Sequence, residues 1–121
     1  MPKPSTFLTK FFVAGVQFRL SPSDIRNLDP GPVTLELEPT NPYDPNAIKV
    51  IGTLGPEDPA EEPYPIHLGY VPAKNGTNLT IIDEVRAGLA EASLVLIDPD
   101  ARLHEALGVE VHKRKEDPSR P

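Results

Sequence analysis

Cysteine is absent from the 121 residues, which excludes a disulfide framework and a thiolate metal site and leaves the redox compartment unread. His67, His104 and His112 follow no ligand spacing, so no metal is expected. Asp44-Pro45-Asn46 and Asp98-Pro99-Asp100 look like fragments of calcium loops but lack the glycine and distal glutamate of an EF-hand. No run approaches the ~20 apolar residues of a membrane span. Met1 to Thr6 carries no apolar signal-peptide core, so the expectation is a soluble, cytoplasmic protein with no membrane partner. Neither a Gly-x-x-x-x-Gly-Lys-Ser/Thr phosphate loop nor a nucleophile elbow occurs, and no enzyme and no cofactor is expected. Asn75-Gly76-Thr77 and Asn78-Leu79-Thr80 fit the glycosylation sequon, yet without a secretion signal they read as turn and helix-cap chemistry.

Positive charge is also scarce. Twelve Lys and Arg face eighteen Asp and Glu, a net charge of −6. Coating nucleic acid draws its affinity from basic groups meeting phosphates, so that is not the main task of this chain. The acid is largely local, because Glu57, Asp58, Glu61 and Glu62 share one Pro-rich stretch.

What the chain does have is proline, 16 of 121 residues against an average near 5%. Rigid turns of this kind fit a small β-rich domain better than a helical bundle. The length suits one domain, with an N-terminal flexible segment at 1–7, a barrel over 8–112, an exposed acidic Pro-rich loop at 53–66, and a charged tail at 113–121.

Period-two patterning marks the strands. Phe12, Ala14, Val16, Phe18 and Leu20 predict a long half-buried strand over 11–20, bent or bulged at Gly15. One short helical turn is expected within Asp24 to Leu28. Val33, Leu35 and Leu37 alternate with Thr34, Glu36 and Glu38, which places the two glutamates on the solvent face. Ile48 and Val50 form a third inner face, and Leu68 to Val71 a short fourth strand ended by Pro72. A helix follows, with caps among Asn75 to Asn78, Thr80 and Asp83 in capping-box spacing, and Gly88 as its stop. Leu94 to Ile97 and Val109 with Val111 predict the last strands. The fold class is mostly β with one or two helices, an OB-like β-barrel of five or six strands, closed or nearly so.

Asn41 to Val50 is the stretch with the clearest chemistry. Asn41-Pro42 and Asp44-Pro45 hold Asn41 and Asp44 out of the helical region and stiffen the turn. Such a loop aims a ring (Tyr43), a carboxylate (Asp44) and two amides (Asn41, Asn46) just before an apolar strand. That set suits a small polar ligand held against a ring. In the alternative, Asn41, Asp44 and Asn46 satisfy their own turn through Asx hydrogen bonds while Tyr43 covers the barrel end.

Val13-Ala14-Gly15-Val16-Gln17-Phe18, Leu35 to Pro39, Asn41 to Val50 and Leu68-Gly69-Tyr70-Val71-Pro72 together resemble the HIRAN domain, over about residues 8–112. The resemblance implies a modified oligonucleotide-binding barrel. In eukaryotes such domains are fused to fork-remodelling DNA translocases and capture the 3′ end of single-stranded DNA. Short bacterial proteins of the kind stand alone, and this chain resembles those. The implied ligand is single-stranded DNA, held weakly at its 3′-hydroxyl end in DNA repair or replication-associated processes, alongside a separate DNA-processing protein. A terminal hydroxyl donates a hydrogen bond that a fixed carboxylate such as Asp44 accepts, and Tyr43 offers a face to the last base. By motif position, Gln17, Phe18, Tyr70 and Lys74 complete the pocket. Gln17 stands where end-binding members carry an arginine, Tyr70 replaces a histidine, Lys74 lies about one position from the expected lysine, and no aromatic follows Tyr70. Phe18 also falls on the apolar alternate face, where core packing is the competing role. The alternative function is a protein-interaction or adaptor barrel that has lost DNA binding, with the Gly55 to Pro65 loop as its contact surface.

Overall fold

The computed structural model describes residues 6–56, 58 and 60–114. Six antiparallel strands form one sheet among these residues: β1 (Thr6–Phe12), β2 (Gly31–Leu37), β3 (Ile48–Leu54), β4 (Tyr64–Tyr70), β5 (Ala90–Ile97) and β6 (Leu107–Lys113). Their order across the sheet is β1-β6-β5-β2-β3-β4. Two helices accompany them, α1 (Pro22–Arg26) and α2 (Thr77–Arg86). The class is the expected mostly-β, OB-like one. No described helix is long and apolar enough to cross a membrane.

Alternation explains the inner face. Ile48, Val50, Gly52 and Leu54 of β3 are buried while their neighbours are half-exposed. Leu107, Val109 and Val111 of β6 and Leu94 of β5 meet them in one core with Leu68 and Val13. Apolar burial of this kind contributes roughly 25 cal/mol per Å² removed from water, so the inward face of each strand fixes its register. α2 adds Ile81 and Ile82 to the same core.

The first strand departs from expectation. It begins at Thr6, ends at Phe12, and is paired with β6. Thr6 and Phe7, placed in the N-terminal segment on sequence grounds, therefore belong to the sheet, whereas residues 1–5 lie outside the described set. Gly15 takes φ 80°, a left-handed conformation that favours glycine, and opens a 3-10 turn over Val16–Phe18. The period-two pattern of 11–20 thus spans two structures. Phe11, not Phe12, is buried, and Phe18 is 84% exposed, so core packing does not describe it.

The ends of the sheet nearly meet. Ala14 N–H donates to the Tyr70 carbonyl (2.8 Å) and Tyr70 N–H to the Ala14 carbonyl (2.9 Å). This single bridge joins the segment after β1 to the end of β4, and the sheet is otherwise open among the described residues, so the expected closed or nearly closed barrel is loosely realised. Gly69 makes the approach possible, since a Cβ there would run into the Ala14 carbonyl and the Val13 side chain.

Ser21 and Asp24 form a capping box on α1, with Pro22 in the first turn. α2 starts at Thr77, within the Asn75 to Asn78 stretch where its cap was expected and three residues before Thr80. Asn75 (φ 61°) and Gly76 (φ 70°) reverse the chain, and no side chain caps the helix. Thr80 instead donates from Oγ1 to the Gly76 carbonyl (3.1 Å). Gly88, at φ 73°, follows the helix as its stop. β3 and β4 form a hairpin that takes in Thr53, Leu54 and Tyr64 to Ile66 from the predicted 53–66 loop. Glu57 and Pro59 of that loop lie outside the described residues. In the predicted tail, Lys113 belongs to β6 and Arg114 N–H donates to the Leu89 carbonyl (2.7 Å). Residues 115–121 lie outside the described set.

Candidate nucleic-acid interface

The connection between β2 and β3 is a braced loop. Glu38 N–H donates to the Ala47 carbonyl (2.9 Å) across its neck, and Ala47 N–H to the Asp44 carbonyl (3.1 Å) within it. Asn41 builds the turn from inside. Its Oδ1 accepts from the backbone N–H groups of Tyr43 (2.8 Å) and Asp44 (3.1 Å), and its Nδ2 donates to Glu38 Oε1 (2.8 Å). These are the Asx bonds that compete with ligand contact at this residue, and they leave Asn41 a positioning part.

Asp44 is held from two sides. Its Oδ1 accepts from Asn46 N–H (2.8 Å) and its Oδ2 from Asn78 Nδ2 (3.3 Å). A carboxylate offers about four acceptor sites, so the half-buried Asp44 keeps capacity for an incoming donor. Asn78 is 3% exposed and also donates to the Asn46 carbonyl (3.1 Å), pinning the loop to α2. Tyr43 stands out from this brace, 95% exposed.

Glu38 connects the loop to the sheet. Besides Asn41, its Oε1 accepts from the Tyr70 hydroxyl (2.9 Å), while its Oε2 pairs with Lys49 Nζ (3.1 Å). Lys49 and Tyr70 are opposite one another in the β3–β4 ladder. The Asn41 amide, with Lys49 and Tyr70, holds the Glu38 carboxyl below its ordinary range, against partial desolvation. The same bond raises Lys49.

Tyr70 gathers two further side chains. The Arg19 guanidinium lies over its ring, 5.6 Å from the centroid. The His67 ring meets it edge-on at 5.0 Å. His67 Nε2 is 2.9 Å from the Gly69 carbonyl, a contact that only an Nε2–H donor satisfies. Burial, then the positive charge of Arg19, pushes the imidazole below its ordinary value.

The candidate residues therefore fall into three groups. Tyr43, Asp44, Asn41 and Tyr70 are brought together through Glu38 and the loop bonds. Gln17 and Phe18 are exposed on the turn that leads to Arg19. Lys74 is exposed on the 3-10 turn Lys74–Gly76 that feeds α2.

Three residues of the site were not singled out as such on sequence grounds. Glu38 was assigned to solvent by alternation, Asn78 to a helix cap, and His67 only excluded as a metal ligand. Asn78 did leave a signal: it shares a helical face with Ile81, Ile82 and Val85, and a polar residue on an apolar stripe needs a partner. No group of three or more His, Asp or Glu among the described residues is placed to hold a metal ion.

No curated protein and no solved structure matches the chain. The family model of the HIRAN domain matches residues 7–107. HIRAN domains are generally nucleic-acid-binding modules. The match runs from β1 to the start of β6 and takes in the braced loop, Tyr70 and Arg19, and the chain belongs to the HIRAN domain family.

Proposed function

We propose that the protein is a non-enzymatic module that binds single-stranded DNA at its free 3′-hydroxyl end, in the cytoplasm, in repair or replication-associated processes beside a separate DNA-processing protein. Tyr43 is the observation that carries this reading. An aromatic ring 95% exposed on a loop whose neighbouring amides are all tied down has no packing task, and it is rigidly offered to a flat partner. Stacking on such a ring contributes ~1–3 kcal/mol per base. Asp44, next in the chain, has acceptor capacity for the terminal hydroxyl and repels a terminal phosphate.

The surroundings support a nucleic acid over a protein partner. Arg19 stands over the Tyr70 ring, and Lys49, paired with Glu38, lies across from it, cations that an adaptor barrel does not need. Arg19 takes the role that the Gln17 departure left open, contacting a backbone phosphate while its guanidinium lies over the Tyr70 ring. Exposed Phe18 offers a second ring near it. Few phosphates are neutralised, so affinity is modest and the salt dependence shallow.

The test is fluorescence anisotropy with matched oligonucleotides ending in 3′-hydroxyl or 3′-phosphate, on the wild type, Asp44→Ala and Tyr43→Ala. The reading expects the hydroxyl end to bind more tightly, Asp44→Ala to erase that preference, and Tyr43→Ala to weaken both. Equal affinity for both ends in the wild type sinks end recognition.

A further inference from the structure

We propose that Glu38 is an internal counterion that competes with nucleic-acid phosphate for Lys49, and so limits how tightly the site grips a strand; this rests on the nucleic-acid reading above. The Glu38 carboxylate divides its work. One oxygen, Oε1, accepts from Asn41 Nδ2 (2.8 Å) and the Tyr70 hydroxyl (2.9 Å), and so shapes the loop and the site wall. The other, Oε2, meets Lys49 Nζ (3.1 Å). Shape and charge can therefore be separated by chemistry at one residue.

Lys49 is suited to a phosphate. It lies directly across from Tyr70, whose ring carries Arg19, so two cations share one neighbourhood. Its side chain keeps 29% of its exposure, and an ammonium has three donors, of which Glu38 engages one. A phosphate reaching Lys49, however, also approaches the Glu38 charge. The lysine is neutralised before a ligand arrives and releases little counterion on binding. Glu36, beside Lys49 across the β2–β3 ladder, adds a weaker field of the same sign without an ion pair.

Glu38→Gln separates the two tasks, because its amide oxygen still accepts from Asn41 and Tyr70 while the charge on Lys49 is released. Anisotropy with a 3′-hydroxyl oligonucleotide over a salt series, and NMR titration with inorganic phosphate, are run on the wild type, Glu38→Gln, Glu36→Gln and Glu38→Gln/Lys49→Met. Glu38→Gln binds the oligonucleotide about two- to fivefold more tightly. Its log–log salt slope steepens by about 0.7, one more phosphate neutralised. Inorganic phosphate shifts the Lys49 amide more strongly than in the wild type. Glu36→Gln has a smaller effect, and the double variant loses the gain. Tighter phosphate binding by Glu38→Gln with no oligonucleotide bound by any variant leaves the counterion in place and removes the nucleic-acid reading. Unchanged or weaker binding of both ligands, or an equal effect from Glu36→Gln, overturns the counterion.

Discussion

The guanidinium of Arg19 lies over the ring of Tyr70, 5.6 Å from its centroid, and joins two parts of the chain that are separate in sequence. The Ala14–Tyr70 bridge sets this distance, because it fixes the Gly15 turn against the end of β4. From Tyr70 the connection continues through Glu38 and Asn41 to the backbone of Tyr43 and Asp44. Arg19, two residues after Gln17, reaches the Tyr70 ring from the tight turn that follows Gly15, where a strand bent or bulged at Gly15 was expected.

Arg19→Gln should weaken binding of a single-stranded oligonucleotide roughly tenfold, the loss of one charge-assisted contact. The salt slope should become shallower by about 0.7. Arg19→Lys keeps the charge and loses the planar stack, so its slope stays while its affinity falls. Gln17→Ala should change neither. Anisotropy at several salt concentrations measures all three, and an Arg19→Gln slope equal to the wild type would remove Arg19 from the phosphate contact.

Gly69→Ala should destabilise the fold by roughly 2–4 kcal/mol. The new Cβ meets the Ala14 carbonyl and the Val13 side chain at the only bridge joining the sheet ends among the described residues. Gly52→Ala makes a useful contrast, since the atoms nearest its Cβ belong to the Leu68 side chain rather than to backbone. Urea unfolding of the pair should rank Gly69→Ala as the more damaging.

The inner faces of β2 and β3 were legible because each alternates cleanly, so burial could be read from spacing alone, whereas β4 was legible only from Leu68 to Tyr70 because Tyr64 to Ile66 carry no alternation. The stop of α2 was legible in Gly88 for the same local reason. The first strand was legible only in its bend at Gly15, since Phe12 and Phe18 continue the period of Val16 and Leu20 while the chain leaves the strand there. A periodicity argument has no means of seeing a left-handed glycine. At the site, the proline-stiffened loop was legible and its wiring was not. Glu38 owes its role to Tyr70, 32 residues away, and Asp44 is held by Asn78, 34 residues away. Such partners are set by the sheet order and by where α2 docks, which alternation does not encode.

Asn78→Ala should cost about 1–3 kcal/mol, because it leaves the Asn46 carbonyl and one Asp44 oxygen without their donor. Asn78→Asp is the sharper probe. It sets a second carboxylate against Asp44 in a place 3% exposed, so the variant should be the less stable at neutral pH and recover as pH falls and one carboxyl takes a proton. Thermal unfolding at pH 7 and pH 5 reads the difference. A variant whose deficit relative to the wild type is equal at both would mean that Asn78 does not face Asp44 closely.

His67 gives the fold its own pH dependence. Burial and the charge of Arg19 lower its folded pKa below 6.5, so the unfolded chain binds the proton more readily. Stability contributed by the neutral imidazole is complete above pH 6.5 and declines as pH falls through the folded value. Glu38 acts in the same direction lower down, since its depressed pKa makes its contribution full above 4.5 and lost as pH falls through the folded value. The unfolding midpoint should therefore fall in two stages as acid is added, the first below pH 6.5. His67→Gln should flatten the first stage and leave the second, whereas Glu38→Gln should do the reverse. Because protonated His67 would stand beside Arg19 and against the Tyr70 ring, the first stage should be accompanied by a change in Tyr70 absorbance or fluorescence. A first stage that persists unchanged in His67→Gln would assign it to another group.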